Sequence, residues 1–266
     1  MSQPLVSIVI PAYNEAERLG STLERVTSFF ASREVDFEVI VVSDGSTDET
    51  ASVARAGGDA ITLIELPENR GKGAAVRTGV LRGRGEVVLF TDADLSTPIE
   101  QWVPIHAKLG EGYDVVVGSR ALASSQIEVR QPWYRERMGK IFNWILRRIL
   151  PLELKDTQCG FKLFDAAAAK RLFGAARIDG FAFDAEILYL AKRFGYRVAE
   201  LPVPWFDSVP SRVHAVWHSA QMLKDLVRIR LLDAARSYDP SRAELSKAPF
   251  ESDAGVSQND AGPRRN

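Results

Sequence analysis

Two aspartates, Asp92 and Asp94, stand one residue apart where the apolar run "EVVLF" (86–90) gives way to "TDADLSTP" (91–98). Carboxylates that close repel each other, so the arrangement needs a compensating cation or generous hydrogen bonding. Mg2+ and Mn2+ are hard ions with oxygen ligands, and Mg2+ is usually held by one or two carboxylates plus substrate phosphates. The pair therefore predicts a divalent metal carrying a nucleotide diphosphate. A lone D-x-D is a weak signal, and its weight comes from three further polar clusters.

In "PAYNE" (11–15), Pro11, Tyr13 and Glu15 follow an apolar run. Asn14 as helix cap and Glu15 beside the helix dipole would explain the motif structurally, and ligand contacts would explain it equally well. In "SDGSTDET" (43–50), Ser46 and Glu49 have capping-box spacing. Asp44 has no such account; its carboxylate can accept a hydrogen bond from a base N–H. In "ENRGKGAAVRTG" (68–79), Gly71 and Gly73 would let backbone amides approach an anion at a helix start, and Lys72 adds positive charge. The spacing is not that of a Walker loop. A tight turn before an ordinary helix is the competing reading.

These clusters sit at the ends of segments that must be strands. "LVSIVIPA" (5–12), "FEVIVVSD" (37–44), "AITLIEL" (60–66), "EVVLFTD" (86–92) and "DVVVGS" (114–119) are continuous and rich in Val and Ile, as buried parallel strands are. Helical patterns between them, with Gly at or just beyond their ends, complete an α/β alternation and predict a mainly parallel sheet flanked by helices. Ligands of such sheets bind beyond the carboxyl ends of the strands. From about residue 130 longer helices surround one extended piece, "YRVAELPVPW" (196–205), so the C-terminal part is helical. The polar stretch 237–266 is expected to be a disordered tail after a domain spanning 1–236.

With 266 residues and a net charge of −1, the chain suits one α/β domain and argues against a general nucleic-acid binder. One cysteine, Cys159, and three histidines offer neither a disulfide framework nor a zinc constellation. No signal peptide and no membrane-spanning segment are expected, which gives a cytoplasmic protein, with peripheral attachment to the cytoplasmic membrane face as an option. Residues 130–150 place Tyr134, Met138, Ile141, Phe142, Ile145 and Ile149 on one helical face, with basic residues and Trp133 and Trp144 beside it; 216–236 repeats the theme. Such stripes are most often core-facing, yet basic plus aromatic composition also suits an anionic membrane surface.

Taken in order, "VSIVIPAYNE", "VVSDGSTDET", "NRGKGAAVRTG", "TDADLSTP", "VVGSR" and "DTQCGFKLF" resemble the GT-A (Rossmann-like) glycosyltransferases of family 2 over about residues 5–235. The resemblance is strongest to the dolichyl-phosphate β-glucosyltransferase and polyprenyl-phosphate sugar synthase branch, and "FAFDAEILYLA" (181–191) favours the glucosyl member over the mannosyl one. It implies a UDP-sugar donor, a polyprenyl-phosphate acceptor and Mg2+ or Mn2+. It also implies that Pro11, Tyr13, Glu15 and Asp44 hold the nucleoside, with Lys72 and Gly73 near it. Asp92, Ala93 and Asp94 would meet the diphosphate, with Asp92 and Asp94 holding the metal. Arg120, Arg130 and Arg135 would face the acceptor phosphate, and Arg212 the diphosphate. Asp156 matches a position proposed as base, an optional role beside the equal alternative of positioning the donor sugar, and Gln158 would contact sugar hydroxyls. Cys159 reads as a small buried filler. Alternatives are mannose transfer from GDP-mannose, a soluble saccharide or metabolite acceptor, and a non-catalytic nucleotide-sugar binder.

Overall fold

The computed structural model describes residues 5–122, 144–206 and 215–239. Its strands are β1 (Val6–Ala12), β2 (Phe37–Asp44), β3 (Ile61–Leu66), β4 (Val87–Thr91), β5 (Val115–Ser119), β6 (Phe161–Asp165) and β7 (Val198–Pro202). The helices are α1 (Ala16–Ala31), α2 (Thr50–Arg55), α3 (Lys72–Arg82), α4 (Trp102–Gly110), α5 (Ala166–Ala175), α6 (Phe183–Arg193) and α7 (Ala215–Ala234). One sheet runs β3-β2-β1-β4-β6-β5-β7.

The five strands expected from Val/Ile runs form within a residue or so of their predicted limits. β1 and β4 are buried along their whole length, because helices cover both faces. Val9, Val88 and Phe90 face α3, α5, α6 and α7 on one side. Ile8, Ile10, Val41 and Leu89 face α1 and α4 on the other, against Leu19, Phe30 and Trp102. Each such side chain removed from water contributes about 1.5–3 kcal/mol, so the two-sided core fixes strand register.

β6 is the strand that the apolar pattern does not announce. It lies antiparallel to both β4 and β5 in an otherwise parallel sheet. Its second residue, Lys162, is 1% exposed and breaks the apolar run. The reversal carries residues 156–160 to the same rim as the carboxyl ends of the parallel strands. Strand order reverses between β1 and β4, which opens the crevice typical of ligand sites in such sheets. The last β1–β4 pair is Val9↔Phe90, so Pro11 lies beyond it, where a missing N–H is tolerated.

Three expectations need correction. The capping box is absent: no side chain caps α2, and Asp48 Oδ1 instead accepts from Thr50 N at 3.0 Å. Asn14 does not cap α1 either; its N–H donates to Ser46 Oγ at 3.1 Å and its Oδ1 accepts from Thr47 N at 2.8 Å. The first-turn amides of α1 are met from the loop after β2, Glu15 N by Thr50 Oγ1 at 2.8 Å and Ala16 N by Asp48 Oδ2 at 3.2 Å. The disordered tail does not begin at 237, because Tyr238 is 1% exposed and its hydroxyl donates to Glu186 Oε1 at 2.6 Å.

Of the two readings of the amphipathic stretches, the core-facing one accounts for part of each. The apolar face of α7 is core: Met222, Leu226 and Ile229 are buried. Of 130–150, residues 144–150 are described; Leu146 and Leu150 supply the buried side, while Trp144 is exposed with the Arg148 guanidinium 5.4 Å from its ring centroid. Among the described residues, no helix is long and apolar enough to cross a membrane.

Candidate active site

Immediately after β4 the chain turns sharply. Leu95 N–H donates to Asp92 O at 3.2 Å and Leu95 adopts a left-handed conformation with φ 46°. The turn sends alternate side chains to opposite sides. Ala93 and Leu95 enter the core, and Thr22 Oγ1 donates to the Ala93 carbonyl at 2.6 Å. Asp92 and Asp94 face an open cavity of about 120 Å³, lined also by Arg120, Gln158, Gly160 and Trp205. The elements that meet there are the ends of β4, β5 and β7 and the start of β6.

Each acid already has a compensating partner. Asp92 Oδ1 lies 2.6 Å from Lys72 Nζ, and Asp94 Oδ1 accepts from Ser96 N at 2.9 Å. The pair is therefore stable without a metal, which changes the electrostatic argument made from spacing. Burial opposes charge on Lys72, but the Asp92 and Asp184 carboxylates outweigh it and hold the ammonium above its ordinary pKa. Behind Asp92, its N–H donates to Gly160 O at 3.2 Å, and a Cβ on Gly160 would fall 1.9 Å from Asp92 Oδ2. Only glycine leaves the carboxylate its place.

Lys72 opens α3, and the glycine that follows serves packing. A Cβ on Gly73 would lie 2.6 Å from both Ile178 O and Phe183 Cβ, and Ala74 N–H is donated to Asp179 O at 3.2 Å. The α3 amino end is thus docked on the 178–180 backbone, and the anion cradle expected of the glycines is reduced to the Lys72 charge. Asp44 is also engaged: Oδ1 and Oδ2 accept from Arg70 N and Gly71 N, both at 2.8 Å, and the residue is 3% exposed. It ties the loop before α3 to the end of β2, although each oxygen keeps a second lone pair.

Arg120 and Asp156 form a fork. Arg120 Nε reaches Asp156 Oδ2 at 2.7 Å and Nη2 reaches Oδ1 at 3.0 Å, while the Arg120 and Gln158 amides donate to the same carboxylate at 3.0 and 3.1 Å. Burial alone would raise the Asp156 carboxyl, but the Arg120 charge and these donors hold it below the usual carboxylate range. Burial opposes charge on Arg120, and the Asp156 carboxylate outweighs it and raises the guanidinium's pKa. A carboxylate so occupied is a poor proton acceptor and a good anchor for a guanidinium. The guanidinium lies 5.7 Å from the Trp205 ring centroid, so it borders the cavity.

Sequence-predicted residues thus divide into four groups. Asp92, Asp94, Arg120 and Gln158 meet in one cavity, with Lys72 and Asp156 directly behind. Pro11, Tyr13, Glu15 and Asp44 stand at the adjacent ends of β1 and β2; Tyr13 is 48% exposed, and Glu15 pairs with Arg18 at 2.5 Å. Arg130, Arg135 and Arg212 lie outside the described residues. Ala93 and Gly73 are packing residues. Cys159 is buried, and burial pushes its thiol up, as a filler requires. Reading by motif missed Gly160, Trp205 and the buried pair Lys162–Asp184. A lysine inside an apolar strand was the available signal for the last.

Comparison with known proteins gives the family. The model of Glycosyl transferase family 2 matches residues 7–173. The chain belongs to that family. Among curated relatives it is similar to dolichyl-phosphate beta-glucosyltransferase of Homo sapiens, 35% identical over 246 residues covering 85% of this chain and 75% of that one. The Saccharomyces cerevisiae protein of the same name is 33% identical, with 85% and 74% covered. Among solved structures, glucosyl-3-phosphoglycerate synthase from Mycobacterium tuberculosis, in complex with Mn2+ and UDP-glucose, superposes with a TM-score of 0.64 at 22% identity, covering 85% of this chain and 79% of that chain. Mannosyl-3-phosphoglycerate synthase from Rubrobacter xylanophilus gives 0.68 at 19%, with 88% and 75% covered. These show the fold, and the family makes the chain a glycosyltransferase.

Whether the donor set suits a metal can be judged from the rim itself. Among the described residues no cluster of three or more His, Cys, Asp or Glu forms a metal centre. Two cavity-facing carboxylates nevertheless fit a hard ion that completes its shell with substrate phosphates and water.

Proposed function

We propose that this family 2 glycosyltransferase moves glucose from UDP-glucose to a polyprenyl or dolichyl phosphate with inversion. The observation that carries the acceptor class is the Arg120–Asp156 fork. A hydroxyl acceptor needs a general base, and the carboxylate placed to be one is occupied and weakly basic. A phosphate monoester needs none, because its second pKa is about 6 and it arrives ionised. A phosphate oxygen attacks the anomeric carbon as the bond to the UDP β-phosphate oxygen breaks, and UDP departs with the electron pair.

In this reading Arg120, locked by Asp156, receives the acceptor phosphate, and Gln158 and Trp205 border the sugar. Arg130 and Arg135 add charge for the phosphate, and Arg212 for the diphosphate. Tyr13 and Asp44 receive the nucleoside, with Pro11 and Glu15 shaping that end. Asp92 and Asp94 would hold Mg2+ or Mn2+, which supplies Lewis-acid stabilisation of the leaving diphosphate. Lys72 supports Asp92 and adds a charge for the same group. The lipid would be presented by an anionic membrane surface, and Trp144, Val227 and Leu231 are large exposed apolar residues available for that contact.

Incubation with UDP-glucose, GDP-mannose and a short polyprenyl phosphate, followed by mass analysis of the lipid, tests the reading. A glucosyl-phosphate lipid is expected, reduced at least about 100-fold in Asp92→Asn and in Asp94→Asn. A mannosyl product, or transfer to soluble saccharides alone, would replace it.

A further inference from the structure

Behind the rim lies a second ion pair that the reaction described above does not use. Lys162 Nζ meets Asp184 Oδ1 at 2.5 Å, with side chains 2% and 6% exposed. Replacing such pairs with apolar groups is often neutral or stabilising, so stability is a poor reason for this one. Its surroundings suggest a better reason. The Lys162 ammonium also donates to Cys159 O at 2.5 Å, within the turn whose Gly160 accepts the Asp92 N–H and lies against the Asp92 carboxylate. Asp184 follows Phe183, whose Cβ is packed on Gly73 beside Lys72. Phe90 completes the arrangement: Lys72 Nζ and Lys162 Nζ lie 5.4 and 5.7 Å from its ring centroid.

We infer that Lys162 and Asp184 are positioning residues for the donor site, Lys162 fixing the turn that cradles Asp92 and Asp184 fixing the end of α3 that presents Lys72. The pair thus reaches both partners of the 2.6 Å Lys72–Asp92 contact from behind. With Asp184 gone, the Lys72 and Lys162 ammoniums would share the neighbourhood of Phe90 with one carboxylate fewer, and Lys162 would lose its ion-pair partner. The inference rests on the UDP-sugar reading of the rim.

Stability and binding separate a positioning role from a merely structural one. Full-length Asp184→Asn, Lys162→Met and the double variant are compared with wild type by thermal unfolding and by calorimetric titration of UDP-glucose, with and without Mn2+. Each single variant is expected to lower the melting temperature and to weaken UDP-glucose binding by about 10–100-fold, as losses behind a ligand shell do. The double variant, with no charge left unpaired, is expected to regain the melting temperature but not the binding. Wild-type affinity in the double variant, within twofold, overturns the inference and leaves the donor reading standing. So does wild-type affinity in Asp184→Asn, which decides the matter if the double variant does not fold. Absence of binding by wild type removes the donor reading, and this inference with it.

Discussion

Gly160→Ala is the most local perturbation that the site offers. The backbone at Gly160 is open to any residue, so the methyl itself is the whole change. It would stand 1.9 Å from Asp92 Oδ2 and 2.3 Å from Cγ, and restoring ordinary contact requires the carboxylate to retreat by about 1.5 Å. A misplacement of about 1 Å near reacting groups costs roughly 100-fold, equivalent to about 2.7 kcal/mol in the barrier. Stability should hardly follow. The Lys72–Asp92 contact that is disturbed has side chains 23% and 31% exposed, and a pair so placed contributes about 1 kcal/mol at most, or about 2–4 °C in melting temperature. The assay is kcat/KM for glucose transfer from UDP-glucose to a short polyprenyl phosphate, read beside a melting curve. A Gly160→Ala enzyme within twofold of wild type would refute the reasoning, because Asp92 could then not need the position it occupies.

Two further outcomes follow from buried carboxylates. Asp156→Asn should lower stability at pH 7 by about 2 kcal/mol, since charge-assisted bonds to Arg120 are lost. The folded carboxyl titrates below its ordinary value of 3.8, so its contribution is present above that pH and drains as pH falls below it. Urea midpoints of variant and wild type should therefore converge progressively as the pH is lowered below 3.8, and a constant difference would contradict the pairing. Tyr238→Phe removes the 2.6 Å hydrogen bond to Glu186 from a buried site and should cost about 1–2 kcal/mol in urea unfolding at pH 7. An unchanged midpoint would show that the segment after α7 does not anchor the core.

The parts of the fold that were legible are those in which local pattern and global burial agree. β1, β2 and β4 are apolar on both faces, so their composition announces them without any knowledge of partners. β6 is hidden because its buried lysine is made tolerable by Asp184, a helix residue that no strand pattern includes. The capping box failed for a related reason. Ser46 and Glu49 have the right spacing, but the loop spends its polar groups on the neighbouring helix start, through Asp48 and Thr50. Tyr238 was read into a polar tail because a single aromatic carries no period, and only Glu186 explains its burial. At the site, Asp92 and Asp94 were found by spacing, whereas Gly160 was passed over: what it does is leave room, and room has no sequence signature.

The antiparallel course of β6 also bears on how this family can diversify. β5 runs up to the rim and β6 runs down from it, so the excursion spanning 120–160 starts and finishes on one edge of the sheet. By then the loops that present Lys72, Asp92 and Asp94 are complete. An exchange within 121–155 would therefore leave every strand pairing untouched, with Leu146, Leu150 and Leu152 as the side chains a graft must keep to preserve the core beneath.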